Sequence, residues 1–168
     1  MRHKKQRCYG QRFFEMKLSE MLDEENVIPE LRATDKKGVL EELTETLASH
    51  EPSIDRSTLV KVLMERERLG STGIGDGVAI PHGKLSAVSR PVISFGRSTQ
   101  GLDFDAMDGQ PTYLFFLIVA PENSSGFHLQ ILARIAKTLK NSEFRKKLMA
   151  AENRVEIYEI ITRTDEEI

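Results

Sequence analysis

One run near the middle of the chain constrains the fold strongly. Every residue from Tyr113 to Val119 is apolar or aromatic, so this run has no polar face. A strand-length segment of this kind is typical of a central strand that is covered by helices on both sides. We therefore expect helical layers above and below a β-sheet that contains this strand.

Further strands and helices are predicted on either side of the central run. The predicted elements, in chain order, are a strand over Val27–Arg32, a helix from Asp35 to Ala48, a helix from Asp55 that stops at Gly70, a short strand over Val78–Ile80, strands over Pro91–Ser98 and Thr112–Ala120, and helices over Phe127–Leu139, from Ser142 and from Asn153. Asp35 and Asp55 are the predicted N-caps, and Asp108–Gly109 marks a turn. Because strands and helices alternate, we expect an α/β fold: a single domain with a mixed β-sheet sandwiched between α-helices.

Composition and charge exclude several classes of protein. The 168 residues suffice for one domain with a hydrophobic core but are few for two domains. A formal net charge of -2 gives no general attraction to nucleic acid or to an anionic membrane. A single cysteine excludes a disulfide framework and a multi-cysteine metal site, and no apolar run could span a bilayer. We expect a cytoplasmic protein without a nucleic-acid partner or membrane insertion.

The start of the chain differs from the rest. Basic residues are frequent between Met1 and Arg12, and the apolar segment of a secretory signal is missing. We predict a basic, disordered leader over residues 1–15 and one domain over residues 16–168.

The segment from Ser71 to Leu85 is rich in glycine and resembles a phosphate-binding loop at first sight. Between Gly77 and Gly83 there are five residues where a P-loop has four, and Leu85 stands where a magnesium-binding hydroxyl is needed. The dinucleotide-binding fingerprint fails as well, because its glycine interval is wrong and the segment leads into Pro81 rather than a helix. Neither nucleotide-binding hypothesis survives.

His82 is the first candidate for chemistry. Pro81 and Gly83 flank it, which fixes its presentation and leaves space for a partner. It follows a short predicted strand, and α/β proteins place their sites at strand ends. Imidazole is also a nucleophile that works near neutral pH. The alternative is a loop histidine with a structural or incidental role.

His128 is the second candidate, in the first turn of its predicted helix. The positive end of the helix dipole favours a neutral ring and attracts an anion such as phosphate. The alternative is a half-buried residue at a helix start with no role. A metal held by His82 and His128 lacks a third ligand, because the sequence shows no histidine or carboxylate cluster and His50 falls in a separate turn.

Arg66 lies in the charged end of a predicted helix, just before the glycine-rich segment. Its planar guanidinium suits phosphate, although most such arginines are solvated surface charges. Ser71 and Thr72 follow and could donate hydroxyl hydrogen bonds to a phosphate. Hydroxyls beside a glycine turn usually serve the turn itself, so both interpretations stay open.

The segment Gly73–Lys84 resembles the active-site segment of the mannitol/fructose-type IIA proteins of the bacterial phosphotransferase system. The similarity extends along nearly the whole chain from Met16, and it includes Glu65–Glu67 and Leu102–Gly109. The run Ala120–Gln130 is most similar to the nitrogen-regulatory IIA branch.

This resemblance implies a phosphoryl carrier of the phosphoenolpyruvate-dependent system. It implies that His82 accepts a phosphoryl group, on Nε2 in the family, from an HPr-like histidine phosphocarrier protein. It assigns His128 and Arg66 to holding the phosphoryl group or the receiving imidazole. Positioning and positive electrostatics dominate phosphoryl transfer, so neither a metal nor another cofactor is expected.

Two functions for such a carrier remain open. A nitrogen-regulatory IIA would control partner proteins through its phosphorylation state, and in related proteins these include potassium-transport and sensor-kinase components. A sugar-specific IIA would pass its phosphate to a separate IIB protein, because the only cysteine, Cys8, lies in the leader. A metal-dependent hydrolase is the third alternative, which a zinc assay would distinguish.

Overall fold

Helices and strands alternate along residues 16–166, the part of the chain that the computed structural model describes. The elements, in chain order, are α1 (Leu18–Met21), β1 (Leu22–Ile28), α2 (Lys36–His50), α3 (Arg56–Arg68), β2 (Gly73–Gly75), β3 (Val78–Ala79), β4 (His82–Leu85), β5 (Val92–Leu102), β6 (Thr112–Pro121), α4 (Ser125–Leu139), α5 (Ser142–Ala150) and α6 (Arg154–Glu166). The predicted leader, residues 1–15, lies outside the described residues.

The six strands form one mixed sheet in the order β1-β5-β6-β3-β2, and β4 also pairs with β6. Strand β6 runs antiparallel to β5 and parallel to both β3 and β4. The predicted central strand is therefore confirmed. β3 and β4 lie end to end along the same edge of β6 in one register, with Ala79 opposite Phe115 and His82 opposite Ile118. Ile80 and Pro81 join them and carry the chain directly into His82.

The two faces of β6 contribute to two separate hydrophobic cores. Leu114, Phe116 and Ile118 pack with α1, α4, α5 and α6 on one face. Phe115, Leu117 and Val119 pack with α2 and α3 on the other face. Full burial of such a side chain contributes about 1.5–3 kcal/mol, which explains why this apolar run specifies a three-layer α/β fold. The predicted single domain with a sheet between helices is confirmed.

Polar side chains cap the N-termini of several helices, among them the two for which the sequence predicts an aspartate cap. The carboxylate of Asp35 accepts a hydrogen bond from the N–H of Gly38 at 2.8 Å, and that of Asp55 accepts one from the N–H of Thr58 at 3.1 Å. Asn153 accepts from the N–H of Glu156 at 2.9 Å, as in a capping box. Each cap contributes about 1 kcal/mol.

The structure corrects the bounds of several predicted elements. The first strand is Leu22–Ile28 rather than Val27–Arg32, because Pro29 ends it and its acidic residues Asp23 and Glu25 are exposed at the edge of the sheet. Strand β5 extends beyond Ser98, since Leu102 pairs again with β6 after an irregularity. His50 is the last residue of α2, not part of a separate turn, and its Nδ1 lies 2.9 Å from the side-chain oxygen of Asn26.

No helix among residues 16–166 combines the length and the apolar character that a membrane span requires.

Candidate active site

His82 is held by the backbone that joins β3 to β4. It follows the short strand β3, as the sequence predicts, and it is also the first residue of β4, where it pairs with Ile118 of β6. The Nδ1 atom of His82 lies 2.8 Å from the carbonyl oxygen of Ile80. A carbonyl oxygen only accepts hydrogen bonds, so Nδ1 carries the proton of the neutral ring and Nε2 keeps its lone pair.

Arg66 contacts the free nitrogen of this ring. It lies in the last turn of α3, and its Nε donates to Nε2 of His82 at 3.3 Å. Its Nη1 donates to the carbonyl oxygen of Gly70 at 2.9 Å, which holds the guanidinium plane. The sequence-predicted pair of Arg66 and His82 is therefore brought together, with the positive charge beside the nucleophilic lone pair.

His128 completes the cluster from helix α4, far from His82 in the sequence. It is the fourth residue of α4, only 5% exposed, and its ring centroid lies 5.2 Å from that of His82. Burial, with smaller electrostatic effects of His82 and Lys84, lowers the pKa of His128 to about 4. The ring is neutral at pH 7, as the sequence predicts, but burial is the main cause, not the helix dipole.

The pKa of His82 is also lowered from its ordinary value. Burial has the largest effect, and the charges of Arg66 and Lys84 act in the same direction. The hydrogen bond to Ile80 and the charge of Glu67 oppose them without reversing the shift. At pH 7 His82 is therefore predominantly a neutral imidazole, the form that can act as a nucleophile.

These residues line an open cleft of about 560 Å³. The lining residues are Val62, Glu65, Arg66, Leu69, His82, Gly83, Lys84 and His128. Leu69 is 86% exposed, so an apolar side chain stands in the open at the rim of a charged site. The size and openness fit a macromolecular partner that brings a small charged group to His82.

Lys84 is a site residue that the sequence prediction missed. It lies two residues after His82 on the same strand, so both side chains face the same side of β4. Its Nζ donates to the hydroxyl of Ser125 at 2.8 Å, at the start of α4. Strand alternation from His82 could have found it, had the segment after His82 been predicted as a strand.

Ser71 and Thr72 do not line the cleft, and their hydroxyls are engaged elsewhere. Ser71 donates to the carbonyl oxygen of Phe104 at 2.8 Å and accepts from the N–H of Gly73 at 3.0 Å. Thr72 is buried and donates its hydroxyl to the carboxylate of Glu67. These contacts favour the turn-forming interpretation over phosphate binding for both residues.

A metal-binding cluster is not found in the described part of the chain. No three histidine, cysteine, aspartate or glutamate side chains within residues 16–166 converge on one point. The cleft instead combines a neutral nucleophilic nitrogen with an arginine, a lysine and a second neutral imidazole. This combination suits the transfer of a phosphoryl group, whose negative charge needs nearby donors and whose phosphorus needs a nucleophile.

Comparison with known proteins also indicates a protein of phosphoryl transfer. A family model described as "Phosphoenolpyruvate-dependent sugar phosphotransferase system, EIIA 2" matches residues 20–164. A nitrogen regulatory protein of Bradyrhizobium diazoefficiens is 39% identical over 146 residues, which cover 87% of this chain and 95% of that protein. The fructose-specific EIIABC component of Bacillus subtilis is 37% identical over 150 residues, 89% of this chain but 24% of that protein.

Solved structures agree in fold. The nitrogen regulatory protein IIA-Ntr of Neisseria meningitidis superposes with a TM-score of 0.80 at 34% identity, over 85% of this chain and 97% of that chain. The mannitol IIA of Escherichia coli superposes with a TM-score of 0.70 at 22% identity, over 83% and 97% of the two chains. At that lower identity the likeness shows the fold alone.

The resemblance seen in the sequence is thus confirmed by both kinds of comparison. The family model spans nearly all of the described residues, and the relative at 39% identity is matched along 95% of its length. The chain belongs to the EIIA type-2 family of the phosphoenolpyruvate-dependent phosphotransferase system.

Proposed function

We propose that this phosphotransferase component carries a phosphoryl group on Nε2 of His82, received from an HPr-like histidine phosphocarrier protein. The observation that carries the proposal is the hydrogen bond of 2.8 Å between Nδ1 of His82 and the carbonyl oxygen of Ile80. It leaves Nε2 as the unprotonated ring nitrogen, whose lone pair accepts from Arg66 beside the cleft.

The proposed step exchanges one nitrogen–phosphorus bond for another. The lone pair on Nε2 of His82 attacks the phosphorus atom, and the bond between phosphorus and the donor's imidazole breaks. The electron pair of that bond returns to the donor's nitrogen. The ring of His82 becomes positively charged and keeps its proton on Nδ1, where the carbonyl oxygen of Ile80 stabilises the charge.

Three neighbours of His82 assist this step. The Arg66 guanidinium lies against Nε2 and is placed to donate to the phosphoryl oxygens as they arrive. Lys84 adds a second positive charge from the same strand. His128 is neutral and close, so it contributes an N–H donor without the repulsion that a second imidazolium would exert on the charged ring of His82.

We infer that the carrier is of the nitrogen-regulatory type, so that its phosphorylation state controls a target protein. The support is the similarity to nitrogen regulatory proteins, which reaches 39% in sequence and a TM-score of 0.80 in structure. The alternative is a sugar-specific IIA that passes phosphate to a separate IIB protein. The 37% identity to fructose-specific components supports this alternative.

One reconstitution experiment tests both His82 as the phosphoryl acceptor and the choice between the regulatory and the sugar-specific function. The protein is mixed with phosphoenolpyruvate, the first enzyme of the system and an HPr-like protein, and its mass is followed. We expect the gain of one acid-labile phosphoryl group, absent in His82→Ala. Purified fructose- and mannitol-type IIB proteins are then added. Rapid loss of the phosphoryl group to a IIB would favour the sugar-specific alternative, and its retention would favour the regulatory one.

A further inference from the structure

The carboxylate of Glu67 is buried directly behind the active site. Its side chain is only 4% exposed, although Arg66, the preceding residue, reaches into the cleft. A carboxylate removed from water is costly unless its oxygens are paired and hydrogen-bonded. Glu67 meets this requirement with Lys36, whose Nζ lies 3.0 Å away, and with both the N–H and the hydroxyl of Thr72.

The contacts of Thr72 extend from Glu67 to the imidazole of His82. The carbonyl oxygen of Thr72 accepts a hydrogen bond from the N–H of Ile80 at 3.0 Å. The carbonyl oxygen of Ile80 in turn accepts from Nδ1 of His82 at 2.8 Å. A continuous path of three contacts therefore joins the Glu67 carboxylate to the ring nitrogen that fixes the tautomer of His82.

We propose that Glu67 is a positioning residue for His82, acting through Thr72 and Ile80 to hold the Ile80 carbonyl against Nδ1. This inference rests on the role proposed for His82 as phosphoryl acceptor. Glu67 fixes the backbone on which the Ile80 carbonyl depends, so it determines which ring nitrogen is protonated and where Nε2 points. Because Glu67 follows Arg66 on α3, the same anchor also sets the spacing between the guanidinium and the ring.

Lys36 has a separate part in this arrangement. An uncompensated carboxylate behind His82 would repel an arriving phosphoryl group, and Lys36 offsets its charge from the start of α2. Burial lowers the pKa of Lys36, but the hydrogen bonds and charges of Glu67 and Asp105 outweigh burial and keep that pKa above its ordinary value. Lys36 is therefore charged at pH 7, as a counter-ion for Glu67 must be.

The test combines transfer kinetics with a direct readout of the His82 ring. Wild-type protein, Glu67→Ala and Glu67→Gln are labelled with ¹⁵N-histidine, and the tautomer of His82 is read from its ring nitrogen shifts. Single-turnover transfer from the phosphorylated HPr-like protein is then measured over a range of donor concentrations. We expect Glu67→Ala to mix the two tautomers and to lower the transfer rate at saturating donor about 100-fold, with little change in donor affinity.

Glu67→Gln separates orientation from charge. Its remaining carbonyl oxygen can still accept from Thr72, so we expect the tautomer to be retained and the rate to fall less than in Glu67→Ala. The charge of Glu67 raises the pKa of His82, so the titration midpoint of His82 should fall in both variants. A role in stability alone would leave the tautomer unchanged, whereas the midpoint reports the charge of Glu67 in either case.

Thr72→Val provides a second test that does not depend on the folding of Glu67→Ala. It removes the hydroxyl that donates a hydrogen bond to Glu67. Thr44→Val is the matched control. Thr44 is equally buried, and among the described residues its hydroxyl has no hydrogen-bond partner. We expect Thr72→Val to slow transfer about tenfold and Thr44→Val to leave it unchanged.

Failure of the positioning role and failure of the proposed function give different results. A folded Glu67→Ala with a wild-type transfer rate, or with a lowered rate but an unchanged His82 tautomer, would overturn the positioning role. Equal rates for Thr72→Val and Thr44→Val would overturn it as well. If wild-type protein accepts no phosphoryl group, the proposed function fails instead, and the tautomer measurement still tests whether Glu67 orients His82.

Discussion

The imidazole rings of His82 and His128 lie with their centroids 5.2 Å apart and their planes tilted by 54°. The pKa of each ring is lowered, mainly by burial, so neither is predominantly charged at pH 7. In the proposed function His82 attacks through Nε2, and His128 is a neutral neighbour. We therefore propose different roles for the two histidines although they share one cleft.

Replacing His128 by Ala should slow phosphoryl transfer without abolishing it. His82 remains the acceptor, but the neutral imidazole donor is lost, and the loss of one such donor costs on the order of 100-fold in rate. Single-turnover transfer from the phosphorylated HPr-like protein measures this rate, and the final mass gain shows that the acceptor is intact. An unchanged rate would show that His128 has only a packing role.

Burial of His128 should make the protein less stable in mild acid. The pKa of His128 is about 4 in the folded state and 6.5 in the unfolded state, so the unfolded state binds more protons between these values. The contribution of the neutral His128 ring to the free energy of unfolding is fully present above pH 6.5 and is lost as the pH falls towards 4. After solvent screening we expect this loss to be about 2 kcal/mol. The lowered pKa of His82 acts in the same direction.

Urea unfolding at pH 7.5 and pH 4.5 measures this effect. His128→Gln cannot titrate, so the difference in unfolding free energy between the two pH values should be smaller in this variant than in wild-type protein. If both proteins lose the same stability, the acid sensitivity arises elsewhere.

Arg66→Lys should impair transfer although the positive charge is kept. The guanidinium contacts Nε2 of His82 and the carbonyl oxygen of Gly70 at once, and an ammonium cannot reproduce this planar arrangement. We expect a rate about 100-fold below wild type for Arg66→Lys and a lower one for Arg66→Met. Equal rates for Arg66→Lys and wild-type protein would show that charge alone is needed.

Gly83→Ala tests the spacing between α3 and β4. A Cβ atom at this position would lie 2.8 Å from Cγ1 of Val62, so either the Val62 side chain must leave its rotamer or α3 and β4 must move apart. We expect a loss of about 1–3 kcal/mol in stability and slower transfer, because Arg66 and His82 lie on these two elements. Gly126→Ala is the control, since its Cβ meets no atom within 4 Å. Similar transfer rates for the two variants would contradict this prediction.

Much of the fold was predictable because its signals are local. The apolar run in β6 and the aspartate caps of α2 and α3 each depend on a few neighbouring residues. The edge strand β1 was misplaced because its position is set by the pairing of Leu22, Val27 and Ile28 with the distant β5, which no local pattern indicates.

The site was predictable only in part, for the same physical reason. The sequence indicates His82 through its flanking residues, and the family resemblance connects it with His128 and Arg66. Glu67 and Lys36 were not predicted, because their pairing joins residues of different helices and depends on burial that only the tertiary structure creates. For Ser71 and Thr72 the sequence left phosphate binding and turn formation both open, and their contacts favour a role in the loop.

The central claim is that Nε2 of His82 carries the phosphoryl group, and ³¹P and ¹⁵N NMR of the phosphorylated, ¹⁵N-histidine-labelled protein test it most directly. We predict a single phosphohistidine in which phosphorus couples to Nε2 of His82, while Nδ1 stays protonated against the Ile80 carbonyl. Phosphorus on Nδ1 of His82, on His128, or on His82→Ala protein would contradict this account.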